Sequence, residues 1–122
     1  MYELTVISDF AAAHNLRFYE GECERLHGHN WKVEVAVASK KLNKIGLAVD
    51  FKVLKRTLEN IIARLDHKYL NEIPPFDKEN PSSENIARYI FKQFQKEIKG
   101  KDIKAERVKV WESENAAAVY YE

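Results

Sequence analysis

The chain opens on an alternation. Tyr2, Leu4, Val6, Ser8 and Phe10 fall on one side of an extended segment, with Glu3, Thr5, Ile7 and Asp9 on the other. Side chains of extended backbone point to opposite faces in turn, so this period predicts a strand over residues 2–10, buried on parts of both faces. Residues 31–37 repeat the pattern more cleanly, with Trp31, Val33, Val35 and Val37 set against Lys32, Glu34 and Ala36. That is a second strand with one apolar face. Lys40 to Lys44 is a polar turn region with Gly46 at its far side, and Leu47 to Val49 is too short to stand as an element.

At Asp50 the period changes. Phe51, Leu54, Leu58, Ile61, Ile62 and Leu65 recur at helical spacing, with Lys52, Lys55, Arg56, Glu59 and Arg64 on the other face. With Asp50 as N-cap, the spacing predicts a helix over about 51–65. Pro74, Pro75 and Pro81 confine the next stretch to loop. Ser82 or Ser83 caps a second helix whose apolar stripe is Ile86, Ile90, Phe94 and Ile98, and Gly100 stops it. Residues 104–112 return to strand, with Val108 and Val110 on one face and Lys109 and Trp111 on the other. Ser113, Glu114 and Asn115 form a turn before a last strand over 117–121. The order strand, strand, helix, helix, strand, strand is that of an α+β fold: one antiparallel sheet of four strands with both helices on one face.

Composition narrows the function classes. A chain of 122 residues is expected to form a single domain, 1–122. At that size it buries one modest core and gains from association with copies of itself. Lys and Arg number 20 against 19 Asp and Glu, a net charge of +1, which speaks against a nucleic-acid binder. No apolar run approaches the about 18 residues of a membrane span. Met1-Tyr2-Glu3-Leu4 lacks the basic and apolar regions of a signal peptide, and one cysteine allows no internal disulfide; a reduced, cytoplasmic setting is expected.

Four histidines carry the candidate chemistry. His27-Gly28-His29 precedes the second strand, and residues i and i+2 of extended backbone share a side, so two imidazoles face one way. His14 follows the first strand. If the first two strands pair as a long hairpin, His14 meets His27 and His29. Three histidines with a fourth position open is the layout of a catalytic zinc site. Spacing alone equally allows isolated surface or capping histidines, since H-x-H is a short motif. Cys23 lies four residues before His27 in a polar loop. There it is either a small filler or a thiol whose pKa a nearby cation lowers, against the push of Glu20, Glu22 and Glu24. Asp66-His67 closes the first helix, as an acid–base pair or as a histidine at the negative end of the helix dipole. Glu112 shares a face with Val108 and Val110. A carboxylate there receives a guanidine-like ligand edge or simply ends the strand in solvent.

Taken in order, Phe10-Ala11-Ala12-Ala13-His14, Cys23-x-x-x-His27-Gly28-His29-Asn30, Val49-Asp50-Phe51-x-x-Leu54-Lys55, Leu65-Asp66-His67-x-x-Leu70-Asn71, Asn80-Pro81-Ser82-Ser83-Glu84-Asn85 and Val110-x-Glu112 resemble the 6-pyruvoyltetrahydropterin synthase and 6-carboxytetrahydropterin synthase family. The resemblance runs over nearly the whole chain. It implies the tunnelling fold (T-fold), in which subunits join their sheets into an oligomeric barrel, commonly a hexamer built as a dimer of trimers with active sites at subunit interfaces. It implies that His14, His27 and His29 bind zinc, that Cys23 is the catalytic thiol, and that Asp66 and His67 are an acid–base pair contributed to a neighbour's site. Glu112 would anchor the pterin ring. The spacing from Cys23 to His27 resembles the 6-carboxytetrahydropterin synthases, which convert 7,8-dihydroneopterin triphosphate to 6-carboxytetrahydropterin, acetaldehyde and triphosphate for 7-deazaguanine and queuosine-type nucleosides. The 6-pyruvoyl activity is the alternative. Glu24 also matches a subgroup that leaves a hydroxymethylpterin for folate, so Cys23 with Glu24 resembles a mixed class. A silent zinc- or pterin-binding oligomer is the reading from outside catalysis. Asn115-Ala116-Ala117-Ala118 departs from the family's more usual Thr-Ala-Gly.

Overall fold

The computed structural model describes residues 1–122. Two long strands, β1 (Tyr2–His14) and β2 (His27–Ser39), pair antiparallel without a break from Tyr2 against Ser39 to His14 against His27. Both outrun the apolar alternation that predicts them. Ala11, Ala12, Ala13 and Gly28 give no period, yet they continue the ladder and carry it to the histidines. His14, His27 and His29 thus lie within strands, not beside them.

Helix α1 (Phe51–Ile62) begins where Asp50 accepts a hydrogen bond from the Lys52 N–H at 2.9 Å. It ends three residues short of the expected Leu65, and residues 63–67 turn back toward the sheet. A two-residue strand, β3 (Lys68–Tyr69), then runs parallel to β1 at Ala12 and Ala13. Helix α2 (Ser83–Glu97) is capped by Ser82, whose hydroxyl accepts from the Asn85 N–H at 3.2 Å. β4 (Lys104–Ser113) pairs with β2, and β5 (Ala116–Tyr121) folds back on β4.

The sheet therefore has five strands in the order β3-β1-β2-β4-β5, and it is mixed. This corrects the expectation of four antiparallel strands. Two residues are too few to show a period, and β3 owes its place to the turn after α1, not to its own side chains.

One apolar cluster joins both helices to one sheet face. Leu54, Leu58 and Ile61 of α1 and Ile86, Ile90 and Phe94 of α2 pack with Val6, Phe10, Trp31, Val33, Val35 and Val108. Two β-bulges keep β4 aligned with this core. Val37 pairs with Ala105 and Ala36 with Arg107, so Glu106 is extra. That single residue flips the alternation, which lets both Ala105 and Val108 face inward. At the other end Trp111 pairs with Ala117 and Ser113 with Ala116, leaving Glu112 as the unpaired residue. No helix is long and apolar enough to cross a membrane.

Leu58 is fully buried between α1 and the sheet. Leu58→Ala should cost about 2–5 kcal/mol, through lost transfer energy and the cavity left behind. Asp50→Ala removes only a cap and should cost about 1 kcal/mol. Urea denaturation of the two variants would measure the gap, and equal losses would contradict this packing.

Candidate metal centre

The β1–β2 ladder ends in a cluster of rings. His14 sits directly opposite His27, and Ala12 sits opposite His29. All three imidazoles project from the core-facing side, beyond the edge of the helix layer. The unpaired Glu112 of the β4 bulge adds a carboxylate from the same side. One donor atom from each of His14, His27, His29 and Glu112 lies within 4.8 Å of the others. His14 Nε2 is 3.0 Å from His27 Nε2, and His29 Nε2 is 3.0 Å from Glu112 Oε1. Glu112 Oε1 is also 3.7 Å from His14 Nε2 and 4.0 Å from His27 Nε2.

The opposite ring nitrogens explain why the Nε2 atoms meet. His14 Nδ1 is 2.7 Å from the Pro81 carbonyl, and His27 Nδ1 is 2.8 Å from the Arg25 carbonyl. A carbonyl only accepts, so Nδ1 carries the proton in both rings and each Nε2 presents a lone pair. Two lone pairs 3.0 Å apart repel unless a cation lies between them. His29 Nε2 is buried with no hydrogen-bond partner; the Glu112 contact lacks the alignment of one. Three nitrogens suit a tetrahedral divalent ion, whose about 2.0–2.1 Å bonds to nitrogen set neighbouring nitrogens about 3.3 Å apart, with the fourth position left to the carboxylate or to a substrate oxygen. The residues present fit a metal ion.

Neighbours hold the cluster in shape. Trp31 is fully buried beneath it, edge-on to His14 and His29 at centroid distances of 4.8 and 5.2 Å. Its indole N–H donates to the Ala12 carbonyl at 3.2 Å, which fixes the floor. Ser83 donates its hydroxyl to Glu112 Oε2 at 3.1 Å, leaving Oε1 turned to the imidazoles. Burial pushes the pKa of His14 below the ordinary histidine value, against the opposing pull of the Pro81 carbonyl. A neutral ring is the form that can ligate.

The other candidates lie apart from this cluster. Asp66 and His67 fall in the turn after α1, beyond its last residues, so the helix-dipole reading of His67 has no helix end to act on. Asp66 Oδ1 accepts from the Ala11 N–H at 2.9 Å, and the His67 N–H donates to the Ala11 carbonyl at 2.6 Å. These bonds hold His67 at φ 58°, a left-handed conformation rare for a side-chain-bearing residue. His67 Nδ1 is 3.0 Å from Asp66 Oδ1, and the ring is 82% exposed. The Ala11 N–H, helped by the His67 ring, holds the Asp66 carboxyl below the usual carboxylate range. His67 and His29 border one open recess of about 520 Å³, together with Ala11, Ala13 and Asn30 among others. Cys23 is exposed in the loop between β1 and β2 and is not among the converging donors. Glu24 Oε1 accepts from the Leu16 N–H at 3.2 Å and stands 3.8 Å from His27 Nδ1, the ring nitrogen facing away from the cluster.

The Pro81 and Arg25 carbonyls, the Trp31 floor and the Ser83 bond to Glu112 lie beyond what the sequence pattern predicts. Carbonyl roles leave no signal in residue identity. Ser83 gave one, as a polar residue at a helix start, but capping accounts for it equally well.

The chain is similar to known proteins in sequence and in fold. The sequence profile of the family described as 6-pyruvoyl tetrahydropterin synthase matches residues 3–122. A 6-carboxy-5,6,7,8-tetrahydropterin synthase of Synechocystis is 45% identical over a match covering 67% of this chain and 66% of that protein. A putative 6-carboxy-5,6,7,8-tetrahydropterin synthase of Archaeoglobus fulgidus is 38% identical, covering 90% of this chain and 87% of that one. A dihydroneopterin monophosphate aldolase of Pyrococcus furiosus is 37% identical, covering 86% and 84%. In three dimensions the chain superposes on a solved 6-pyruvoyl tetrahydropterin synthase of Caenorhabditis elegans with a TM-score of 0.84, covering 99% of this chain and 95% of that one at 20% identity.

Removing one ligand should cost the site more than the about 100-fold that marks the upper end for outer partners. His14→Ala is therefore expected to lower affinity for zinc or cobalt(II) beyond that limit in equilibrium dialysis, and wild-type affinity in the variant would count against the centre.

Proposed function

The chain belongs to the 6-pyruvoyl tetrahydropterin synthase family, and from that premise we propose that it is a zinc-dependent 6-carboxy-5,6,7,8-tetrahydropterin synthase. In this reading 7,8-dihydroneopterin triphosphate and water give 6-carboxytetrahydropterin, acetaldehyde and triphosphate, a product that serves 7-deazaguanine nucleoside synthesis. The observation that carries it is the convergence of three imidazoles, two of them tied back through Nδ1, beside a carboxylate. The names of two of the relatives support the carboxy product.

Zinc held by His14, His27 and His29 would polarise side-chain oxygens of the substrate and so acidify the adjacent C–H. Glu112 receives the pterin. Its carboxylate can accept paired hydrogen bonds from the ring amino group and a ring N–H, and Ser83 fixes its orientation. It borders a recess of about 430 Å³ with Ser83, Ala116, Ala117 and Ala118, whose small side chains leave room for a flat ring. Orienting the ring sets the side chain against the metal in one pose. Cys23 as thiolate and His67 held by Asp66 move the protons.

His67 is exposed, locked by its backbone bonds, and apart from its own chain's cluster. These features favour its action in a neighbour's site, within a homo-oligomer of the dimer-of-trimers kind whose sheets form a barrel. We take residues 1–122 as one T-fold domain, working in the cytoplasm on a small molecule without nucleic acid or membrane. A second reading rests on Glu24 beside His27 and on the relative named as an aldolase. The chain would then also release 6-hydroxymethyl-dihydropterin.

Mass spectrometry of the products from 7,8-dihydroneopterin triphosphate tests the assignment, with 6-carboxytetrahydropterin expected; a 6-pyruvoyl product, or none, overturns it. Cys23→Ala should slow its formation by about 10²–10⁴-fold, the usual weight of a positioned acid or base. Glu24→Ala should erase any hydroxymethyl product while sparing the carboxy one. Glu112→Gln should keep zinc and lose ring binding. Loss of zinc with it would instead make Glu112 a ligand, as its 3.0 Å approach to His29 allows.

A further inference from the structure

His14 gains its free Nε2 because Pro81 occupies its Nδ1. Pro81 lies in the loop before α2, 67 residues away in sequence. A partly buried polar lattice brings that loop to the end of β1. Asn80 and the Arg17 backbone exchange two bonds: the Arg17 N–H donates to Asn80 Oδ1 at 2.8 Å, and Asn80 Nδ2 donates to the Arg17 carbonyl at 2.9 Å. The Arg17 guanidinium then donates to three carbonyls of the same loop, those of Asn71 at 3.1 Å, Phe76 at 2.8 Å and Glu79 at 3.2 Å. Asn15 and Asn71 form a second reciprocal pair, at 3.0 and 2.8 Å. On the far side of Pro81, Ser82 caps α2, and Asn85 Nδ2 donates back to the Asn80 carbonyl at 2.8 Å. Pro81 is thus fixed on both sides, and Arg17 is the hub of the fixing. It is also the only cation in the lattice, and it forms no ion pair with any carboxylate, so its fork is spent on backbone carbonyls.

We infer that Arg17 is a positioning residue of the metal centre. By pinning the loop of residues 71–81 to the end of β1 it holds the Pro81 carbonyl on His14 and so fixes the ring with Nε2 bare. Arg17 makes no hydrogen bond or ion pair with the imidazoles or Glu112; its guanidinium bonds go to loop carbonyls. Its planar fork reaches three acceptors at once, which an ammonium on a flexible stem does not reproduce. Outer partners of this kind set ligand tautomer and orientation. The inference rests on the metal-centre reading above, but its tautomer readout does not.

The test compares Arg17→Met and Arg17→Lys with the full-length wild type. In the metal-free protein, ring nitrogen-15 NMR should show His14 protonated at Nδ1 in the wild type and a mixture of tautomers in Arg17→Met. Zinc affinity, measured by competition with a chromophoric chelator, should fall about 10–100-fold, and Arg17→Lys should not restore it. Ile98→Ala serves as a control for general loosening. Ile98 is buried at the far end of α2, about 20 Å along the helix from Ser83. That variant should unfold more readily yet keep the wild-type tautomer and affinity. Wild-type tautomer and affinity in Arg17→Met overturn the inference, as does an equal affinity loss in Ile98→Ala. If Arg17→Met does not fold, Asn80→Ala, which removes the reciprocal pair beside Pro81, carries the same expectations and the same power to refute. A wild type that takes up no zinc removes the metal centre, while the ring nitrogens still decide the positioning role.

Discussion

The uninterrupted antiparallel pairing of β1 with β2 is the constraint on which the site depends. Register in a sheet is all-or-none for facing: a one-residue slip would send His27 and His29 to the opposite side and leave His14 facing glycine. The apolar positions enforce the register. Val6 against Val35 and Phe10 against Trp31 place large side chains on the helix-covered face, and a one-residue slip would turn one strand's set away from it. The histidines inherit their facing from this core. Burial energy spent along one stretch of the ladder thereby aligns three ring nitrogens at its end.

The cluster lies where the dry core gives way to polar loops. Trp31 closes its floor and excludes water from below, while Glu112, His27 and His29 keep partial access to solvent. Such a boundary serves a metal site well. Low polarity on one side strengthens electrostatic contacts, and openness on the other admits a ligand. Alternation puts Glu112 on the same side as Val108 and Val110, which stay in the core, and the β4 bulge leaves it without a partner in β5. Bulges of this kind are common beside functional sites.

A single chain holds the parts of the proposed reaction in two places. The imidazoles and Glu112 form one group, and the Asp66–His67 turn forms another, pinned to the outer edge of β1 by both polar groups of the Ala11 backbone. The left-handed backbone at His67 is the kind of local strain that persists where surrounding bonds over-determine it. The pair is exposed and held in place by backbone bonds. The proposed sharing of sites between subunits would give such an exposed pair a use.

Much of this was legible in the chain before folding. Alternation announced the cores of β1, β2 and β4, helical spacing with Asp50 and Ser82 announced α1 and α2, and ordered motifs announced the family and the three histidines. These signals are local, because side-chain periodicity and capping depend on near neighbours in sequence. Other features depended on contacts between distant segments. The alanines and glycine that lengthen β1 and β2, the two-residue β3, the early end of α1 and the bulge at Glu112 have no period of their own. The Pro81 and Arg25 carbonyls that set the ring tautomers exist in every peptide bond, so no residue letter marks them. The sequence by itself determined which groups could ligate and roughly where the strands would lie. Only the tertiary structure decided which atoms meet, because register, backbone acceptors and bulges are fixed by packing across the sheet and not by the identity of any one residue.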